Sequence, residues 1–201
     1  MAVNAPRAAH ESADKRVNIF VRLDIRTNTT SVAGQAGGMI MWGRLFCGDD
    51  LKESVRKGNL KRVKRLVSKG VTIEDLNMAL HTVVWLGKAD IVTYLLEQGA
   101  PVDGPSPDHH TLLIIALCSK LSLPAALPLI AYGANPNARC PYGKTTLMYA
   151  VDTNNLEIVE ALLENGAEVN AVDNEGATAL EYVRTPEMMT LLRQYGAKYS
   201  L

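Results

Sequence analysis

The residues that most invite a chemical reading in this chain are its four histidines, three cysteines and one glycine-rich stretch. His109 and His110 are adjacent, so on an extended loop tip their imidazoles point opposite ways. No cysteine or carboxylate cluster stands at ligand spacing to complete a metal site around them, and they read as solvated loop residues. Cys118 and Cys140 have no histidine at a fixed offset that would make a nucleophile and base pair. Gly34-Gln-Ala-Gly-Gly38 lacks the Lys-Ser/Thr that ends a phosphate-binding loop. Asn28-Thr-Thr30 has the form of a glycosylation sequon, but no apolar leader accompanies it. An odd cysteine count (Cys47, Cys118, Cys140) without framework spacing points to free thiols in a reducing compartment. No catalytic set, metal or cofactor is expected.

What the chain does have is a period. Gly143-Lys-Thr-Thr-Leu-Met-Tyr-Ala150 and Gly176-Ala-Thr-Ala-Leu-Glu-Tyr-Val183 restate one pattern, and His109-His-Thr-Leu-Leu-Ile-Ile-Ala116 restates it more weakly. Their threonines fall at 111, 145 and 178, steps of 34 and 33. Gly-Ala pairs close each unit in phase, at Gly99-Ala100, Gly133-Ala134, Gly166-Ala167 and Gly196-Ala197. A fixed period of this length means stacked supersecondary units that bury their cores against each other.

The segment Lys144 to Gly176 resembles the ankyrin repeat consensus through its whole length. Ala79-Leu80-His81 and Ile91 to Ala100 match it again, and Leu51 to Gly70 resembles a degenerate first unit. The resemblance covers about three quarters of the chain. No unit has the consensus proline; Ala79, Leu112, Thr146 and Ala179 stand in its place. The fold implied is all-α, an ankyrin-repeat solenoid of about five helix-pair units with degenerate first and last caps. The units run over about 48–75, 76–108, 109–142, 143–175 and 176–201, behind an N-terminal extension over 1–47. His81 occupies the family's histidine position, which implies a turn-stabilising hydrogen bond and not catalysis.

The same resemblance implies a concave binding face built from inner helices and finger loops. With consensus packing positions set aside, Glu53, Arg56, Thr82, Trp85, Leu86, Ile115, Cys118, Ser119, Tyr149, Asp152, Thr153 and Tyr182 point into it. Trp85, Ile115, Tyr149 and Tyr182 form an apolar and aromatic row, the residue types in which binding energy concentrates. Trp85 packed against the N-terminal extension is the competing arrangement. Finger tips add Pro105 to His110, hence His109 and His110, and Arg139 to Tyr142.

Helix ends follow from breakers and caps. The expected pairs are Leu51–Arg56 with Leu60–Val67, Met78–Leu86 with Ala89–Gln98, and Thr145–Asp152 with Leu156–Asn165. The third pair starts with Leu112–Lys120. Its outer helix then carries Pro124 and Pro128, and an interior proline costs ~3 kcal/mol or more, so this helix should start late, near Ala125, and be short or kinked. The fifth unit, Ala177 to Tyr195, is clipped, and Pro186 opens its second helix.

Within 201 residues, 47% are hydrophobic and only 5% aromatic, so the core must be mostly small aliphatic side chains. The formal net charge is zero, which argues against nucleic acid or a membrane surface as the partner of the whole chain. Charge is nonetheless segregated. Eight bases face three acids between Asp49 and Gly70; nine acids face one base, Arg184, between Val151 and Glu187. This reads either as two solvated caps or as a device that steers a partner along the stack.

Residues 1–47 do not fit the repeat. Met1 to Asp14 has a disorder-like composition. Val17, Ile19, Val21, Leu23 and Ile25 alternate with polar residues, which predicts a strand over 16–26. The strand could close a hairpin with Thr29 to Val32, pair with a partner, or be incidental if the chain starts at Met39 or Met41. The function expected is non-catalytic binding of another protein, as inhibitor or adaptor, in the cytoplasm or nucleus, by a monomer or a partner-bound complex. The alternatives are a regulatory subunit that reaches a partner enzyme with its N-terminal arm, and a structural homo-oligomer joined by its oppositely charged ends.

Overall fold

A computed structural model describes residues 50–104 and 110–199. The strand expected over 16–26, the rest of the 1–47 extension and finger residues 105–109, including His109, lie outside the described residues.

The phased threonines are helix caps. Thr111, Thr145 and Thr178 sit in extended conformation just before the inner segments of units three, four and five. The Thr111 hydroxyl accepts from Ile114 N at 3.4 Å and that of Thr145 from Met148 N at 3.3 Å. Thr178 shares a capping box with Glu181, whose carboxylate accepts from Thr178 N at 2.9 Å. The phased Gly-Ala pairs are the opposite ends. Each glycine takes φ between 82° and 87°, and each alanine N–H reaches back five residues at 3.0 Å: Ala100 to Leu95 O, Ala134 to Leu129 O, Ala167 to Leu162 O and Ala197 to Leu192 O. That is the left-handed closure that satisfies the last carbonyls of a helix.

Between caps and closures lie α1 (50–56), α2 (Leu60–Val67), α3 (Ile73–Trp85), α4 (Ala89–Glu97), α5 (Leu112–Leu117), α6 (Ala126–Ala131), α7 (Thr146–Thr153), α8 (Leu156–Glu164) and α9 (Pro186–Gln194). Two layers follow from who touches whom. The inner row packs α3 on α5, α5 on α7, and α7 on a 3-10 segment at Ala179–Tyr182. The outer row packs α2 on α4, α4 on α6, α6 on α8, and α8 on α9. One aliphatic core runs through the stack, from Leu51 and Val55 to Met188 and Leu192. There are no strands among the described residues, only an isolated bridge between Arg139 and Thr145.

Several ends differ from expectation, each for a local reason. The second inner helix starts at Ile73 and not Met78, because Thr72 and Asp75 form a capping box: Asp75 N to Thr72 Oγ1 at 3.0 Å, Thr72 N to Asp75 Oδ2 at 3.1 Å. With so short a link from the first pair, the helix takes the residues that elsewhere make a finger. The third inner helix stops at Leu117 and not Lys120. The buried Ser122 hydroxyl lies 3.1 Å from the carbonyls of Ile115, Ala116 and Ser119, which no further turn of helix then needs to satisfy. The fifth inner element is a 3-10 segment, not an α-helix.

Unit three's outer helix is short, as expected, but Pro128 is not interior. A 3-10 turn over Leu123–Ala125 precedes α6, and Pro128 is its third residue, where an N–H has no partner within α6. Six residues of α6 still hold less than the nine of α8, which Asn155 caps by accepting from Ile158 N at 3.2 Å. We therefore expect amides of Ala125 to Ala131 to exchange roughly tenfold faster than those of Ile158 to Leu163, by local opening. Hydrogen exchange with mass spectrometry reads this; equal protection would show that unit three is no softer than unit four.

Candidate interaction surface

The face that the inner row leaves uncovered carries a ladder of side chains at equivalent register. One rung series is Thr82, Ile115, Tyr149 and Tyr182; the next is Trp85, Cys118 and Asp152. Thr82, Tyr149 and Tyr182 are partly exposed, and Trp85 is 50% exposed. Ile115 is only 3% exposed and belongs to the core, as do all six residues of α5; it drops out of the surface. Leu86, Ser119, Thr153 and His110 are half-buried, while Arg56, Cys118 and Asp152 are exposed. Met78 was not anticipated. It stands at i with Thr82 and Trp85 at i+4 and i+7 on α3, and it is exposed. The capping box at Thr72 is the signal for it, since it moves position 78 from the expected first residue of the helix into its interior.

The fingers stack by backbone and amide contacts. Asn174 N donates to Tyr142 O and Asn174 Nδ2 to Pro141 O, both at 3.2 Å. Gly143 (φ 77°) permits this approach, because a Cβ there would lie 2.2 Å from Asn174 Oδ1. Arg139 Nη1 donates to Val172 O at 2.7 Å and Gly143 O at 3.3 Å. Arg139 thus ties one finger to the next. Tyr142, 78% exposed, stands at the tip. Asp152 pairs with Arg184 at 2.6 Å across units four and five.

The polar centre of the face is a cluster that the sequence did not single out. The Lys144 ammonium lies 4.0 Å from the Tyr182 ring centroid and 4.7 Å from that of Tyr149. Tyr182 Oη donates to Asp173 Oδ2 at 2.7 Å, while Asp173 Oδ1 accepts from Glu175 N at 2.9 Å and Ala177 N at 3.0 Å. The Tyr182 hydroxyl holds the Asp173 carboxyl below its usual range, and the same bond pushes the Tyr182 phenol up to about 12. The pair stays phenol and carboxylate through the neutral range. Burial, then the Cys140 thiol against its hydroxyl, raises Tyr149. Local desolvation raises the Cys118 thiol, away from the thiolate that a nucleophile needs.

The ends differ in charge as well as in shape. Lys61 and Lys64 of α2 hold the positions that Glu157 and Glu160 hold on α8. Lys64 lies over the Tyr94 ring at 5.2 Å, and Arg62 pairs with Asp50 at 3.0 Å, both exposed contacts of small energetic weight. No helix among the described residues is long and apolar enough to cross a membrane.

Comparison with known sequences settles the family. A profile of three-copy ankyrin repeats matches residues 51–140, and a many-copy ankyrin profile matches residues 129–183. The chain belongs to the ankyrin repeat family. It is similar to human ankyrin repeat and SOCS box protein 6 (35% identical over 107 residues, 50% of this chain and 25% of that protein). It is similar to an ankyrin repeat-containing protein of Treponema pallidum (27% over 146 residues, 69% of this chain and 49% of that protein). A Danio rerio protein named for a palmitoyltransferase, ZDHHC13, is 29% identical over 136 residues, 65% of this chain and 21% of its own length. The chain thus matches half or less of each relative. Ankyrin repeats generally mediate protein–protein interaction, and the fold found here is that all-α stack.

Proposed function

We propose that this ankyrin domain holds a protein partner on its inner-helix face and finger tips, without catalysis of its own, as an adaptor or inhibitor in the cytoplasm or nucleus. The half-exposed Trp85 carries the reading. A tryptophan left open beside the open Met78, on a pre-formed helical row, is the kind of anchor in which interface energy concentrates. The inner helices of the face pack on one another through one continuous core, which supports docking with little ordering cost on this side. The basic first unit would add speed of encounter more than affinity.

The test is a footprint. With the partner captured from the native host and purified, added partner should slow amide exchange in α3, α5 and α7 and leave α4, α6 and α8 unchanged. Protection confined to the outer row would place binding elsewhere and sink the assignment.

A further inference from the structure

Tyr149, Tyr182 and Asp173 make a site for a cation, and the chain fills it with its own lysine. The two rings come from equivalent positions of units four and five, so they wall one notch between neighbours. Asp173 is fixed at its rim by three hydrogen bonds, one from Tyr182 and two from backbone N–H groups. Lys144 lies over both rings, and among the described residues it makes no salt bridge; rings and the longer-range field of Asp173 are what hold it. Its ammonium ends a flexible four-carbon stem, so it can swing into water without any change of backbone.

Around the notch the balance is negative. Asp152, Glu175 and Glu181 are exposed nearby, against Lys144, Arg184, which pairs with Asp152 at 2.6 Å, and Arg139, whose guanidinium donates to Gly143 O and Val172 O. A partner that presented carboxylates here would meet four acids. A partner that presented a cation would replace Lys144 over the rings and gain Asp173 at the rim. Arginine fits better than lysine, since its planar guanidinium can stack on one ring and still direct N–H groups to a carboxylate.

We propose that the notch of Tyr149, Tyr182 and Asp173 recognises a basic segment of the protein partner, and that Lys144 is the placeholder which that segment displaces. This rests on the reading of the inner-helix face as the binding surface. The placeholder keeps the rings and carboxylate paired in the free protein, and it sets a threshold: only a cation better placed than Lys144 binds.

The probe is a capped hexa-arginine peptide, titrated into the full chain by calorimetry and by NMR of the Tyr149 and Tyr182 ring protons. Lys144→Gln should bind it on the order of five- to tenfold tighter than the unmodified chain, with both ring signals shifted. Lys144→Arg should bind it no tighter, which also controls for folding. Asp173→Asn in the Lys144→Gln background should remove the gain. Arg184→Gln deletes one positive charge from the same face, so an equal gain there would reveal a general field effect and overturn the proposal. Unmoved ring signals would overturn it too. The outcome is separable from that of the surface itself. If a partner protects the inner helices but hexa-arginine leaves the rings untouched, the face stands and the notch falls. If the rings respond while the partner protects the outer row, the notch binds cations but the partner does not use it, and the proposal falls with the face.

Discussion

Gly87→Ala is expected to lower the stability of the repeat domain by at least ~3 kcal/mol, of which ~1–3 kcal/mol is the left-handed backbone itself. Gly87 follows α3 with φ 60°, and a Cβ there would lie 1.8 Å from Leu121 O and 2.9 Å from Leu121 C. That carbonyl cannot give way cheaply. The next residue, Ser122, is buried, its hydroxyl 3.1 Å from three carbonyls at the end of α5, and Pro124 closes the turn 3.4 Å from the same point. Units two and three therefore touch through backbone here, and the alanine must push them apart. Gly99→Ala is the matched control: φ is 86°, but nothing lies within 4 Å of the added carbon. It should cost only the backbone share. Urea unfolding of both variants decides, with the Gly87 midpoint well below that of Gly99. Equal losses would mean that the turn at Leu121 yields and the two units are not in hard contact.

That contact shows where the sequence stopped being informative. Thr111, Thr145 and Thr178 could be read in advance as one recurring position, and the structure supplies the cause, a cap at the start of each inner element. The Gly-Ala pairs were legible for the same reason: one left-handed residue and one back-reaching amide recur wherever an outer helix ends. Period is a local signal, and local chemistry produced it. Departures from period were harder. Thr72-Ile-Glu-Asp75 contains its own start signal, yet alignment to the repeat moved the expected helix start to Met78. The late start near Ala125 follows from Pro124 and Pro128 and agrees with α6 at Ala126; the 3-10 turn before it is what composition does not show.

The binding face was legible as positions and not as contacts. Thr82, Tyr149 and Tyr182 share a register that the repeat defines, so their common face follows from arithmetic. Ile115 shares it too, but α5 is a short helix of six apolar residues packed on both α3 and α7, and burial overrides register there. Arg139 is an exposed tip residue as its position implies, but its two bonds to finger carbonyls are not legible from position alone. The role of Lys144 is not legible at any single position, because it depends on two rings and a carboxylate from different units. A lysine before a capping threonine, with tyrosines at one register in successive units, is the pattern that would have found it.

Trp85→Ala combined with Tyr149→Ala should weaken partner binding by more than ~2 kcal/mol, about thirtyfold, while the helical circular-dichroism signal is retained. The two residues stand on α3 and α7 with α5 between them, so both count only if the partner spans unit three. Trp85 is half open, and its truncation removes contact area without opening a core cavity. Tyr149 is different: its ring packs on Ile114, Ala138 and Cys140 and carries Lys144 on its face. Its loss costs some stability, and Tyr149→Phe separates the effects by keeping the ring and deleting the hydroxyl. If Tyr149→Phe binds normally and the double variant does not, the ring is the anchor. A loss in the Trp85 variant alone would confine the footprint to units two and three. Calorimetry that returns an unchanged affinity for the double variant would remove the inner-helix face as the binding surface, whatever the ladder of side chains suggests.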